Sequence, residues 1–259
     1  LASAAALACT MAGLAALPAS AHAMVAASAP PPVVTISVSG DTAKVSPAVI
    51  RPGVVEFTVG KTFPIPGPQG GPDSLSVLRT DNLPLVLSSL PAVFGGDPSD
   101  PAAGAAAAAA MRTIHAVTTF YGGAHKGTTW RVVLPAGTYI VMGVQSTAMG
   151  MAQPATLVVA GQPRSGMLPT AQVAIRPVGP VGENKWTFRQ SSSPVEWLRF
   201  TNSAHELHFL DMNGVKPGTT AAMIKKAFMS PKEPTFGTGQ HYDFDVISPG
   251  VAVAIKGPI

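Results

Sequence analysis

Short β-favouring runs, each closed by a proline or glycine turn, set the terms for any fold this chain can adopt. Glycine and proline supply 26 residues each of 259, so one residue in five is a turn or loop former. That excludes a helical bundle or coiled coil and favours many short strands. Val34-Thr35-Ile36-Ser37-Val38 alternates with the period of two of a half-buried strand. Residues 54–59 (VVEFTV) follow the turn Arg51-Pro52-Gly53. Residues 130–134 (WRVVL), the turn Pro135-Ala136-Gly137, and residues 138–142 and 156–159 continue the pattern. Such runs predict an antiparallel sandwich. A second set is expected at 172–175, 185–188, 195–201, 206–210, 242–246 and 251–255. One helix is expected after Gly218, with Met223, Ile224, Ala227 and Phe228 on one apolar face and Pro231 ending it. The low-complexity stretch 97–110 (DPSDPAAGAAAAAA) reads as a mobile loop running into a short helix.

Charge narrows the function classes. Seventeen Lys and Arg face thirteen Asp and Glu, and the basic residues are scattered from Lys44 to Lys256 with Lys225-Lys226 as the longest run. A nucleic-acid binder concentrates basic charge on one face, so no nucleic-acid partner is expected. Aromatics are 6%, so the core must be built mainly from aliphatic residues. The one cysteine is Cys9, inside an Ala/Leu-rich stretch that passes Pro18 and ends Ala21-His22-Ala23. Small residues three and one before a cut suit signal peptidase, which places cleavage after Ala23 and the mature protein outside the cytoplasm. No later run is long enough to span a membrane. With Cys9 removed, disulfides, cysteine nucleophiles and thiolate-bound metals are not expected within these residues.

The two sets of runs look like a repeat. Residues 51–59 match 193–201 in kind, and 73–78 (DSLSVL) match 205–210 (HELHFL). Residues 83–94 take the place of the 219–228 helix, and 126–134 match 249–255. The expected organisation is a signal peptide at 1–23, a linker at 24–32, one sandwich at 33–160, a linker at 161–170 and a second sandwich at 171–259. On this alignment the second sandwich stops before its last strand or two, so the sequence is expected to be cut short at both ends.

Trp197-Leu-Arg-Phe-Thr-Asn-Ser-Ala-His205 resembles the cupredoxin pattern of a strand ending Phe-x-Asn, a turn, and a histidine opening the next strand. Residues 135–143 (PAGTYIVMG) resemble the strand that carries the cupredoxin cysteine. The resemblance implies two tandem cupredoxin-like antiparallel β-sandwiches, each with a short helix. It also implies a degenerate metal site in the first. The position of the first ligand falls near Asp73-Ser74, the cysteine position is Gly143, and 145–149 holds no histidine. A blue-copper centre needs two histidines, a thiolate and usually an axial methionine. Only Met149 or Met151 echoes the axial ligand. In the second sandwich His205 matches the first histidine, so copper is expected only if a segment beyond Ile259 supplies the rest.

Other chemistry finds little footing. His205 and His208 lie three apart, on opposite faces if both are in a strand. His115, His125 and His241 show no ligand spacing. Asp211 with Asp243 or Asp245 is a carboxylate pair that sequence alone does not bring together. No Gly-x-Ser-x-Gly elbow, phosphate loop or His-x-His pair is present. The expected function is an exported, non-enzymatic binding or scaffold protein, with copper binding or electron transfer through the second sandwich in view. The alternatives are a metal-free adhesion or structural sandwich and, further off, part of a two-domain copper oxidase. No catalytic or cofactor-binding residue is nominated; the metal candidates are His205, Met149 and Met151.

Overall fold

The computed structural model describes residues 29–65, 72–96, 100–228 and 237–257. The expected export segment 1–23 and the expected helix stop at Pro231 lie outside the described residues. In the first half the elements are β1 (Val33–Ser39), β2 (Thr42–Ser46), β3 (Val49–Ile50), β4 (Gly53–Val59), β5 (Leu75–Thr80), α1 (Leu83–Phe94), α2 (Pro101–Val117), β6 (Thr118–Ala124), β7 (Thr129–Leu134), β8 (Gly137–Gly143), α3 (Val144–Ala148) and β9 (Ala155–Val159). In the second they are β10 (Val173–Gly179), β11 (Lys185–Gln190), β12 (Trp197–Thr201), β13 (Ser203–Ala204), β14 (His208–Val215), α4 (Ala221–Phe228), β15 (Gly237–Ile247) and β16 (Ala252–Lys256). No helix among the described residues is long and apolar enough to cross a membrane.

The all-β sandwich expected from the strand pattern is present, and both of its sheets run through both halves. One sheet has the order β11-β10-β12-β16-β7-β4-β1-β2, and the other β14-β15-β6-β5-β8-β9-β3. The halves meet where β16 pairs antiparallel with β7 and β15 with β6. Outward from that seam the first sheet reads alike in both directions. β4 pairs antiparallel with β7 as β12 does with β16, and β1 lies parallel to β4 as β10 does to β12. β2 and β11 close the edges antiparallel. The sequence pairs noted above fall on these matching places: 51–59 and 193–201 on β4 and β12, 126–134 and 249–255 on β7 and β16.

Beyond β5 the second sheet continues through β8, β9 and β3; beyond β14 no strand follows among the described residues. The edge strand β11 is exposed along its length. Trp186 and Phe188 sit opposite Pro177 and Ile175, on the side that faces the core, yet are 52% and 61% exposed. At the other edge β2 is tied to the segment before β9, Ala43 N–H donating to Gln153 O at 2.9 Å.

One apolar core fills the space between the sheets. Val34, Ile36, Phe57 and Tyr139 from the first half and Ile175, Leu198, Phe200 and Val253 from the second belong to it. Trp130 crosses the seam, stacked on Phe57 at 5.0 Å and edge-on to Phe244 at 5.8 Å. Gly122 makes this possible: its φ is +94°, and a Cβ there would lie 2.5 Å from the Phe244 ring. Arg131 also joins the halves, bonded to Glu56 at 2.7 Å and lying 4.6 Å over the Trp197 ring.

A second, smaller core lies on the far side of the second sheet, where Leu78, Phe120 and Met142 meet Val86 and Leu90 of α1 and Ile114 of α2. Residues 97–99 lie outside the described residues, and from Asp100 onward the expected short helix needs correction. α2 is a 17-residue helix, because Asp100 caps it, accepting from Ala102 N–H at 2.9 Å, and Pro101 suits its first position. The alanines then propagate it, as the strongest helix formers do. α1 matches its expected limits, with Asn82 accepting from Leu85 N–H at 3.1 Å.

Candidate functional site

The strongest candidate site is a partly open cavity of about 320 Å³ between the second sheet and helices α1 and α2. Its apolar wall is Val86, Leu90, Ile114, Phe120 and Met142 of the smaller core, with Met111 of α2 beside them. Its polar end is drawn from four separate segments: Asp73 and Ser74 ahead of β5, His125 after β6, Gln145 in α3 and Asp245 in β15.

Asp73 is the centre of that end. It is 3% exposed, and its Oδ2 accepts from the Ser146 amide at 2.7 Å. The carboxylate lies against Gly143. A Cβ on Gly143 would stand 2.5 Å from Asp73 Oδ2 and 2.8 Å from the Phe63 ring. Gly143 has φ −77°, which any residue adopts, so the requirement for glycine here is one of space alone. Ser74 Oγ is buried without a hydrogen-bond partner among the described residues. Asp245 reaches across β6 to accept from Ser76 Oγ. It passes over Gly123, where a Cβ would be 2.9 Å from Asp245 Oδ2.

The positions that the cupredoxin resemblance assigns to copper ligands in the first half, Asp73 and Gly143, therefore do converge in space. They do not fit the metal. The thiolate position holds no donor, and a hard carboxylate already bonded to an amide takes up the room a cysteine side chain needs. Met142, the methionine nearest this point in sequence, is 1% exposed and part of the smaller core.

The nominated metal residues lie apart. His205 is exposed in the turn between β13 and β14, beside Asn202, Pro249 and Gly250. Met149 closes α3 and is 43% exposed, and Met151 N–H donates to Ser146 O at 2.8 Å in the turn that follows. Among the described residues no three His, Cys, Asp or Glu side chains group as a metal site. His208 opens β14 rather than sharing a strand with His205. Its side chain is 11% exposed, 3.9 Å from Glu206 and edge-on to Trp186 at 5.3 Å. Burial pushes its pKa down, and the Glu206 carboxylate opposes that shift. Asp211 stands opposite Asp243 in the β14–β15 register, while Asp245 belongs to the cavity.

The Phe-x-Asn element has a structural role that the structure makes explicit. Asn202 is fully buried and donates to Glu206 O at 2.8 Å and Ile247 O at 2.9 Å. Its Oδ1 accepts from Ala204 N–H at 3.0 Å. The turn bearing His205 is thus pinned to β15.

No family model and no curated protein matches this chain. Among solved structures it is similar to a multicopper oxidase at 10% identity, over 88% of this chain and 79% of that one, with a TM-score of 0.22. It is similar to Fet3p, described as a multicopper oxidase that functions in iron import, at 9% identity over 86% and 44%, TM-score 0.22. It is also similar to Lac15 from a marine microbial metagenome at 12% identity over 87% and 59%, TM-score 0.20.

Proposed function

We propose that this is an exported, non-catalytic binding protein on a duplicated cupredoxin-like sandwich, in which the first metal position has become the polar end of an organic-ligand cavity. The observation that carries the reading is the buried Asp73 carboxylate, bonded to the Ser146 amide and packed against Gly143. A site built this way has exchanged a soft thiolate for a hard oxygen and has given up the open coordination position. The mirrored order of the first sheet supports the duplication. The test is calorimetric titration of the full chain with Cu(II) and, under reducing conditions, Cu(I). The expected result is no stoichiometric binding that depends on Asp73. Tight one-to-one binding that Asp73→Asn removes would overturn the reading. Copper uptake that instead depends on His205 would belong to the second half.

A second reading, a cell-surface adhesion sandwich without metal, is favoured by the exposed Trp186 and Phe188 on β11. It predicts that the protein binds cell envelopes and that replacing both aromatics by serine abolishes this.

A further inference from the structure

Resting on that reading, we propose that the cavity takes a small molecule with an apolar body and a protonated amine at one end, the amine seated against Asp73 and Ser74.

The cavity's size sets the first limit. At about 320 Å³ it lies at the lower end of the roughly 300–1,000 Å³ of ligand pockets, so the body must be small. Its wall sets the second. Val86, Leu90, Ile114, Phe120 and Met142 are all buried apolar residues, so the part of the ligand between α1, α2 and the sheet must be hydrocarbon.

The polar end chooses the head group. A buried carboxylate is costly unless a cation or several donors meet it. Asp73 has the Ser146 amide as its hydrogen-bond donor, and no basic side chain pairs with it among the described residues. Beside it Ser74 Oγ is a buried hydroxyl still lacking a partner. His125 and Asp245, which have interactions of their own, line the same end, and the proposal places the head group on the adjacent Asp73 and Ser74. An ammonium group offers three N–H donors and a positive charge, and meets both needs at once. A carboxylate ligand would face two carboxylates, Asp73 and Asp245, across a small space. An alcohol would satisfy Ser74 and leave the Asp73 charge unmet.

The experiment is calorimetric titration of the full chain with hexylammonium, 1-hexanol and hexanoate. Hexylammonium should bind on the order of tenfold more tightly than hexanol, and hexanoate most weakly. Asp73→Asn should erase the preference for the ammonium while leaving hexanol affinity unchanged. Ser74→Ala should weaken the ammonium by a smaller factor and keeps the test open if the Asp73 variant does not fold. Met111→Trp, which fills the cavity from α2, should abolish binding of all three. Equal affinity for hexanol and hexylammonium, preference for hexanoate, binding that survives Met111→Trp, or no binding by any probe would each overturn the proposal. Asp73-dependent copper binding would overturn the underlying reading instead, so the two failures are distinguishable.

Discussion

Gly143→Ala is the substitution whose outcome the geometry states most sharply. The new methyl would stand 2.5 Å from Asp73 Oδ2 and 2.8 Å from Phe63 Cδ2, and closer still to Ser146 Oγ. Asp73 and Phe63 are 3% exposed and Ser146 is fully buried, so the methyl can be accommodated only if one of them shifts, Asp73 toward the cavity it lines. Overpacking of this kind costs about 1–3 kcal/mol. If Asp73 swings aside, its charge-assisted bond to the Ser146 amide is lost as well, about 1.5–3 kcal/mol. Against this, alanine restricts the unfolded chain and returns about 0.4–1 kcal/mol. The net expectation is a loss of about 2–5 kcal/mol. Urea unfolding followed by tryptophan fluorescence reads it, because Trp130 is fully buried. The midpoint should fall with the slope unchanged. Removing the carboxylate makes room for the methyl, so Gly143→Ala combined with Asp73→Ala should lose less than the sum of the two, by about 0.5–3 kcal/mol. A single variant within about 0.5 kcal/mol of the parent, or strictly additive losses, would refute the claim that Asp73 occupies this space.

Three further outcomes follow from the same structure. His208 has a folded pKa below its ordinary value of 6.5, so the unfolded chain binds the proton more readily. Its contribution to stability is therefore full above that value and is lost as pH falls through the folded pKa. His208→Gln should flatten that part of a stability–pH profile measured by chemical denaturation. Asn202→Ala strands two buried carbonyls and one amide, at about 1–3 kcal/mol each, so a loss of about 3 kcal/mol or more is expected in the same assay. Gly122→Ala puts a side chain at φ +94° and into the Phe244 ring, and a loss above about 2 kcal/mol should appear with altered Trp130 fluorescence.

Local pattern made much of this fold readable and topology hid the rest. The alternation at 34–38 and the aliphatic runs at 54–59, 130–134 and 156–159 became β1, β4, β7 and β9, because each strand's core face is set by its own residues. The matched pairs DSLSVL and HELHFL fell at β5 and β14, each paired with the strand that follows its helices. α2 went unread as a long helix because its composition is that of a linker, although Asp100-Pro101 was a legible start. β6 has no clear signal in the sequence because Gly122-Gly123 interrupts it; a Cβ at Gly122 would strike the Phe244 ring, and one at Gly123 the β5 backbone at Leu75 and Ser76. Continuity of the sheets across the seam had no local signal, since an edge and an interior strand can carry the same alternation. The site was half legible. The motif comparison located Asp73-Ser74 and Gly143, but His125, Gln145 and Asp245 reach the same cavity only through long-range pairing. The resemblance that nominated His205 marked a turn whose buried anchor is Asn202.

The central claim is that the first metal position of this sandwich is now an oxygen-lined end of an organic cavity. The most direct measurement is a proton–nitrogen correlation spectrum of the labelled full chain during Cu(II) addition. The account predicts that the Gly143 and Ser146 amide signals keep their intensity, with any paramagnetic broadening confined to exposed groups such as His205. Selective loss of the Gly143 and Ser146 signals at stoichiometric copper would contradict it.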